Sequence, residues 1–376
     1  MTRARPVAEQ GLEWLRPSGP DHDIVLSTRV RLARNLQGVP FAVRAGGEDR
    51  LKVLGRVSEI LDAGDVLEDP DVWEMEELEG AERRLLLERH LVSRELIGGD
   101  DARDGAALAM AARSSLGMMI NEEDHLRLQT LRNGLQLREA WSEVDALDER
   151  IGDRLPYAFH HDFGFLTSCP TNVGTGLRAS VLVHLPGLVL TKEIGKVLEG
   201  ISQVGLTYRG LYGEGSEVVG NFFQISNQTT LGKSEEDLVD HLGKIAGQVI
   251  QYEKQARAVL LREASSVLED KVWRAYGILR RARHLPFDEL MNLLSGVRLG
   301  LTLKLLSTPR VETLNHVMIS SQRAHLERAA GRSLDEADAS QYRAARVREA
   351  LASDEAEADG GEPDPADEGS ARGEAG

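Results

Sequence analysis

The sequence is poor in the residues that mark several classes of protein. It has one cysteine, so no disulfide can form within the chain, and aromatic residues make up only 5% of its 376 positions. The most apolar helical stretch, residues 290–306, is interrupted by Arg298 and Lys304, which are costly inside a bilayer. The first residues lack the apolar core of a signal peptide. These shortages favour a cytoplasmic protein and predict no membrane span.

Basic charge is also in short supply. The formal net charge is −16, and half of it lies in residues 353–376, where nine acidic residues accompany one arginine. That composition predicts a disordered acidic tail. The rest of the chain is still acidic, which disfavours nucleic acid as a partner. Any arginine cluster in the folded part should therefore have a specific task.

Two common nucleotide-binding signatures are missing as well. The sequence has no G-x-x-x-x-G-K-[ST] loop, and it lacks the glycine-rich loop, Val-Ala-Ile-Lys strand and His-Arg-Asp loop of protein kinases. If phosphates bind here, separate arginines must hold them. The planar guanidinium group suits that task because it can make bidentate phosphate contacts.

The pattern that is present predicts an α+β domain followed by a helical one. Between residues 21 and 233, short β-like runs alternate with helical stretches. Strands are expected at 23–34, 116–131, 177–186, 204–212 and 220–228, and amphipathic helices at 48–64 and 80–96. Beyond Gly232 the apolar spacing becomes helical, and Ser234 and Asp237 are placed like a capping box. We divide the chain into an extension (1–20), a catalytic domain (21–255), a helical domain (256–352) and the tail (353–376).

Three polar stretches could carry chemistry. Strand alternation places Arg29 and Arg31 on one face, where they either hold an anion or lie solvated on an edge strand. If residues 116–131 form a strand, Glu123, His125 and Arg127 share a face, as a base beside an anion site or as an ion-pair ladder. Arg209 and Glu214 lie in a glycine-rich segment that fits a hairpin or a flap over a ligand.

The single thiol lies in a fourth stretch, "TSCPTNVGTGLRASV" from Thr167. Cys169 precedes a glycine-rich turn, and Arg178 opens the apolar run that follows. Taken alone, the thiol is either a small buried group or a reactive one. The glycines could let the backbone approach a nucleotide.

Taken together, these motifs resemble the phosphagen kinases, and most closely the bacterial protein arginine kinases of the McsB type. The resemblance covers residues 21 to about 255 and rests on "LSTRVRLARN", "ERHLVS", "NEEDHLR", "TSCPTNVGTGLRASV" and "RGLYGEGSEVVGNFFQISNQTTLGKSE", in that order. It implies a glutamine-synthetase-like catalytic fold, an antiparallel sheet flanked by helices, and an all-α C-terminal domain that dimerises and contacts protein substrates.

The resemblance also implies roles for particular residues. Glu123 would be the catalytic base, Glu214 a second carboxylate on the substrate guanidinium, and Cys169 the thiol of that pocket. Mg²⁺ would be bound through the nucleotide phosphates. The ATP site would consist of Ser27, Thr28, Arg29, Val30, Arg31, His90, Arg127, Arg178, Ala179, Ser180, Val181, Leu182, Arg209, Gly210, Leu211, Tyr212, Gly213 and Glu214.

The implied function is phosphorylation of arginine in proteins, marking them for a Clp-type protease or controlling a stress repressor, with an McsA-like activator as a further partner. About twenty residues precede the first motif, which suits an open site for a polypeptide. A small-guanidino kinase and an inactive nucleotide-binding adaptor are the alternatives. One departure concerns regulation: where McsB-type enzymes carry Arg-Asp-x-x-Arg-Ala, thought to bind phosphoarginine, this chain has "ASQYRA" at 339–344.

Overall fold

The computed structural model describes residues 12–42, 44–98, 103–112, 115–211 and 219–359. Within them the strands are β1 (Val25–Arg34), β2 (Asp71–Glu74), β3 (Ala107–Met110), β4 (Gly117–Ile120), β5 (Leu126–Asn133), β6 (Phe159–His160), β7 (Gly164–Phe165), β8 (Leu177–His184), β9 (Leu206–Gly210) and β10 (Phe222–Asn227). Eight of these described strands form one sheet in the order β2-β3-β4-β5-β1-β8-β10-β9, with every neighbouring pair antiparallel. Strands β6 and β7 form a separate hairpin.

Helices surround this sheet and then continue as a helical region. They are α1 (Gly47–Asp62), α2 (Gly80–Glu88), α3 (Arg94–Ile97), α4 (Leu137–Gly152), α5 (Pro186–Leu190), α6 (Ile194–Gln203), α7 (Glu235–Glu263), α8 (Ser265–Arg281), α9 (Phe287–Thr302), α10 (Val311–Ser320), α11 (Arg323–Ala330) and α12 (Glu336–Asp359). The predicted capping box starts α7, because the Ser234 side chain accepts from the Asp237 N–H. None of these described helices combines the length and apolarity needed to cross a bilayer.

The two faces of the sheet pack against different partners. Val30 and Leu32 of β1 and Val181 of β8 are buried in the larger apolar core, together with residues of α1, α4 and α7. On the other face, Leu131 and Leu182 join a second core built with the helical region. The predicted α+β fold with an antiparallel sheet and a helical C-terminal region is therefore confirmed.

Helix α7 passes across the expected domain boundary without a break. Its residue Glu253 is fully buried and accepts the N–H groups of Gly187 and Leu188 at the start of α5. One turn later Arg257 forms an ion pair with Glu253 at 2.7 Å and donates to Thr302 of α9. The pair joins the sheet domain to the helical region, so the boundary at 255/256 divides a buried interaction.

Three sequence expectations differ from the structure. The run 116–131 is two strands rather than one, because Asn121 adopts a left-handed φ of 56° and begins a tight connection. The stretch 80–96 is broken in the same way at His90, whose φ is 61°. Helix α12 continues to Asp359, past the expected start of the tail, and Asp354 within it accepts from the Arg310 backbone N–H and the Thr313 hydroxyl.

Candidate functional site

Five arginines lie on one face of the sheet, opposite the helix-covered core. Arg31 of β1 pairs with Arg178 of β8 across the sheet. Ala33, two residues further along β1 and on the same face as Arg31, pairs with Arg127 of β5. Arg209 of β9 is opposite Gln224 of β10, which is itself opposite Leu182 on the same face as Arg178. With Arg29 two residues before Arg31, the register places all five predicted arginines on a single surface.

The arginines of this surface repel one another, most of all around Arg31. Burial and then the charges of Arg127, Arg29, Arg178 and Arg209 lower the pKa of Arg31 well below its usual value. Burial and Arg209 lower the pKa of Arg29 to about 10. The Nε of Arg31 is buried without a hydrogen-bond partner among the described residues. Guanidinium groups remain protonated at neutral pH, so the arrangement fits a polyanionic ligand.

The arginine face borders a cavity of about 720 Å³ that also contains two of the three predicted catalytic groups. Glu123 and Cys169 line this cavity together with Arg31, Arg127 and Arg178. It further includes Arg50, Ser93, Glu95 and Arg103, which the sequence did not single out. The structure thus brings an arginine-lined surface, a carboxylate and a thiol to one cavity.

The connection between β4 and β5 explains how Glu123 is held. Glu122 is fully buried, and its carboxylate accepts from Arg127 at 2.5 Å, from the Ser93 hydroxyl at 2.5 Å and from the Glu123 N–H at 2.6 Å. Arg127 also pairs with Glu123 at 2.9 Å. Since Glu122 alone already neutralises Arg127, the more exposed Glu123 carboxylate can turn to a second guanidinium without leaving that cation unpaired.

The next two residues have structural roles. Asp124 accepts from Asn35 at 2.7 Å and from the Ser168 N–H at 2.6 Å, which fixes the segment before Cys169. His125 Nδ1 accepts from the Leu36 N–H, so its protonated Nε2 donates to the Pro40 carbonyl at 2.9 Å. The expectation that Glu123, His125 and Arg127 share a strand face is wrong, because only Arg127 belongs to β5.

The glycine turn after Cys169 serves close packing of the chain. Gly174 and Gly176 have φ values of 113° and 66°, and a Cβ would lie 2.5 Å from the Thr230 carbonyl oxygen or 2.6 Å from that of Ala33. Both positions therefore require glycine. The close approach in the structure is to neighbouring backbone, and Gly176 lies in the cavity wall. That these glycines let the backbone approach a nucleotide stays a prediction.

Cys169→Ser is expected to lower turnover by roughly tenfold with little change in melting temperature. The half-buried thiol lies 3.0 Å from the Thr171 hydroxyl in the cavity wall. Serine keeps the size and the hydrogen bond but does not readily become an anion, and a bond to a charged partner is worth about 1.5 kcal/mol or more. Steady-state kinetics and thermal melting would measure both quantities. Full activity of the serine variant would reduce the thiol to a packing role.

A smaller cavity of about 30 Å³ continues the arginine face at the opposite end of the strands. Its walls include the predicted residues Ser27, Arg29, His90, Ser180, Leu182 and Leu211, and also Trp14. The backbone carbonyl of His90 accepts a hydrogen bond from Arg29 Nη2 at 2.9 Å. Burial and Arg29 lower the pKa of the His90 imidazole to about 3, so the ring is neutral at pH 7.

Not every predicted nucleotide residue faces this surface. The side chains of four of them point to the opposite side of the sheet and are fully buried in the structure: Thr28, Val30, Ala179 and Val181. They form the strands and offer no side chain to the arginine face. Gly210 ends β9 beside Arg209. The predicted Tyr212, Gly213 and Glu214 lie outside the described residues.

The helical region is also linked indirectly to the arginine face, through Glu88. This carboxylate, at the end of α2, accepts the Ala324 N–H at 2.8 Å and both the backbone N–H and Nδ1–H of His325 at the start of α11. Two residues after Glu88 lies His90, whose carbonyl holds Arg29. Helix α11 is therefore attached to the loop that positions an arginine of the anion site.

Glu88→Ala is expected to raise the KM for ATP about threefold to tenfold. Loss of a carboxylate that caps a helix also destabilises a protein by about 0.5–2 kcal/mol, so a small drop in melting temperature should accompany it. Glu82→Ala is the matched control, because Glu82 lies on the same helix and, among the described residues, its carboxylate accepts from the nearby Glu79 N–H. A stability loss with an unchanged KM would show that the contact only supports the fold.

The residues that the sequence missed had weak or no signals. Glu122 was visible only as the neighbour of Glu123. Trp14 was assigned to an extension, although it is buried and contacts the His90 ring at 5.8 Å between centroids. Arg50 and Arg103 belong to a helix start and a loop whose proximity depends on the tertiary fold.

Comparison with known proteins assigns the chain to a family. Residues 53–256 match the model "ATP:guanido phosphotransferase, C-terminal catalytic domain". The chain belongs to the ATP:guanido phosphotransferase family. Residues 265–361 match a second model, "Protein-arginine kinase McsB C-terminal domain".

Individual relatives agree with this assignment. The chain is 43% identical over 347 residues to a protein-arginine kinase of Moorella thermoacetica, covering 92% of this chain and 98% of that protein. It is 41% identical over 355 residues to that of Pelotomaculum thermopropionicum, covering 94% and 99%. Among solved structures, lombricine kinase has the same fold at a TM-score of 0.56, with 23% identity and coverage of 68% and 73%. The duplicated taurocyamine kinase of Schistosoma mansoni gives 0.53, with 24% identity and coverage of 63% and 33%.

Proposed function

We propose that this chain is a protein arginine kinase that transfers the γ-phosphoryl group of Mg-ATP to arginine side chains of proteins. The observation that carries the proposal is the cavity in which the arginine face, Glu123 and Cys169 meet. A cationic surface fits a nucleoside triphosphate, and a carboxylate and a thiol in the same cavity fit a guanidinium acceptor. Both substrates of a guanidino phosphotransferase therefore have suitable partners in one cavity.

The residues divide the reaction between them. The arginine face neutralises the phosphates, so that an acceptor nitrogen can approach the γ-phosphorus as the bond to the β-phosphate oxygen breaks and ADP leaves. The acceptor guanidinium has a pKa above about 12 and is a poor nucleophile while protonated. Glu123 orients it and takes up the proton released as the N–P bond forms. Glu122 holds Arg127 throughout.

Mg²⁺ fits this site as a companion of ATP. In the described part of the chain, the one group of three close His, Cys, Asp or Glu ligands is His160, His161 and Asp162, on an exposed hairpin. The cavity wall instead contributes guanidinium groups, which suits an ion held by phosphates and water. When bound, Mg²⁺ would add charge neutralisation at the phosphates.

The comparisons favour protein substrates over small guanidino compounds. The match of residues 265–361 to the McsB C-terminal domain, and relatives named protein-arginine kinase over nearly their full length, support a polypeptide acceptor. The lombricine and taurocyamine kinases share the fold at lower identity. The inactive-adaptor alternative is disfavoured by the presence of Glu123 and Cys169 in the arginine-lined cavity.

The test is phosphorylation of an unfolded, arginine-containing protein with Mg-ATP, compared with free arginine at equal guanidinium concentration. We expect protein-bound phosphate that is lost in acid and retained in base, as for an N–P bond. Rapid phosphorylation of free arginine with none on protein would instead establish the small-guanidino kinase. Absence of any transfer with nucleotide binding intact would establish the adaptor.

Family resemblance extends the proposal to partners. A homodimer would suit α8, which leaves Val267, Trp273 and Ile278 substantially exposed. Light scattering of the purified chain, with Trp273→Glu as the variant, would test self-association. An McsA-like activator, a Clp-type protease that receives the marked proteins, a stress-response role and a cytoplasmic location complete the proposal. Co-purification from the source cell would test the first two.

A further inference from the structure

Two arginines that line the cavity are not part of the arginine face. Arg50 lies in the first turn of α1, and Arg103 lies in the loop before β3. Arg103 Nη1 donates to the Glu122 carbonyl at 3.2 Å, and Arg50 Nε donates to the Asp104 carbonyl at 3.3 Å. Arg50 is thus bonded to the loop before β3, and Arg103 to the turn that contains Glu123.

Their surroundings keep them together. The Asn121 side chain donates to the carbonyls of both Arg50 and Gly105, at 2.9 and 2.8 Å, and so clamps the loop against α1. Gly105 has a φ of 69°, and a Cβ would lie 3.1 Å from the Arg50 carbonyl oxygen. The pair is therefore held by the same connection that presents the catalytic carboxylate.

Among the described residues, the guanidinium groups of this pair use only some of their N–H donors. Arg50 uses two N–H groups, on the carbonyls of Asp104 and Ala45, and Arg103 uses one, on the carbonyl of Glu122. None of the described carboxylates lies within ion-pair distance of either group. Their partners in the described part of the chain are neutral carbonyls, which leaves both positive charges to an anion entering the cavity.

The charge balance of the cavity indicates which anion that is. Its wall contains arginines at 31, 50, 103, 127, 178 and 209, against glutamates at 95 and 123. The four arginines on the sheet face the phosphate end. Arg103 bonds to the carbonyl of Glu122, next to the Glu123 that would hold the acceptor, and Arg50 lines the same cavity. The fork of an arginine suits a carboxylate.

We propose that Arg50 and Arg103 form a carboxylate subsite that selects target arginines with a neighbouring aspartate or glutamate in the substrate protein. The inference rests on the proposed function, since it concerns the acceptor of that reaction. The acidic neighbour binds the pair while the target guanidinium binds Glu123, so the two ends of the acceptor segment are held by opposite charges. A free amino acid could present its own α-carboxylate to the same pair, and the experiment separates the two sources.

The test uses capped peptides, acetylated and amidated, with one arginine flanked by glutamate or by glutamine. For the unmodified chain we expect kcat/KM to be roughly tenfold higher for the acidic peptide, and the ratio to fall as salt is added. In the double variant R50Q/R103Q the ratio of the two peptides should approach one. Lys52→Gln, which removes one charge from the exposed side of α1, should leave the ratio as it was. Thermal melting checks that each variant is folded.

Several outcomes would overturn the inference. An unchanged peptide ratio in R50Q/R103Q would do so, as would a raised KM for ATP with the ratio preserved, which would assign the pair to the phosphates. If the double variant instead lost activity only on free arginine, the carboxylate would be that of the amino acid. Because each result requires arginine phosphorylation of some acceptor, failure on every acceptor would reject the proposed function itself.

Discussion

Glu123→Gln is expected to lower turnover by about 10²-fold or more while leaving ATP affinity nearly unchanged. Glutamine keeps an oxygen that can accept from Arg127, but it cannot take up the proton released from the acceptor guanidinium, and a positioned base contributes about 10²–10⁴-fold. ATP affinity is preserved because Glu122 continues to pair with Arg127 at 2.5 Å. Single-turnover kinetics and a nucleotide titration would measure the two quantities separately.

Glu95→Gln is the matched control for this experiment. Glu95 lines the same cavity from α3, so its substitution makes the same change in cavity charge without touching the Glu122–Arg127 network. We expect the Glu95 variant to retain most of the turnover that the Glu123 variant loses. Parallel losses of nucleotide affinity and turnover at Glu123 would indicate a structural ion pair instead of a base.

Arg31→Gln is expected to abolish most turnover without destabilising the free protein. Arg31 is repelled by the four other arginines of its face, and its Nε has no partner among the described residues. Removing its charge relieves that repulsion, so the melting temperature without nucleotide should stay the same or rise. With ATP the stabilisation should shrink, and turnover should fall roughly 10³-fold, as when an arginine that neutralises a transferring phosphoryl group is lost.

Arg34→Gln, three residues further along β1, should behave in the opposite way. Arg34 is buried against Asp148, with an ion pair at 2.6 Å, and its guanidinium lies 3.6 Å from the centre of the Phe165 ring. Its loss leaves a buried carboxylate unpaired, which typically costs about 3–5 kcal/mol. Melting with and without ATP would compare the two variants. A destabilised Arg31 variant would contradict the view that this face is built for a ligand.

The sequence predicted the strands of the anion site better than its turns. Alternation along β1 correctly predicted that Arg29 and Arg31 share one face of the strand and that Val30 lies on the other face. The prediction worked because the side-chain period of a strand is fixed by backbone geometry. The breaks at His90 and Asn121 were missed, since apolar spacing continues through both and only their left-handed backbone reveals the turn. Periodicity records which face a side chain takes, but not where the chain reverses.

Contacts between distant segments were beyond reach for a different reason. Arg50 and Arg103 are more than fifty positions apart, and their segments are held together by Asn121, which bonds to the backbone of both, and by the bond from Arg50 to the Asp104 carbonyl. Glu88 likewise gains its role from residues more than two hundred positions later. Neither pairing follows from local propensity, and both depend on which backbone groups the finished fold leaves to be satisfied.

The ion pair of Glu253 and Arg257 has a consequence for how the chain can be divided. Two family models meet near this point of the sequence, yet α7 runs through it, and its buried pair bonds to α5 on one side and to α9 on the other. A protein cut between 255 and 256 would leave a buried carboxylate or a buried guanidinium without its counterion in each fragment. We therefore expect the two modules recognisable in the sequence to unfold together rather than as independent units.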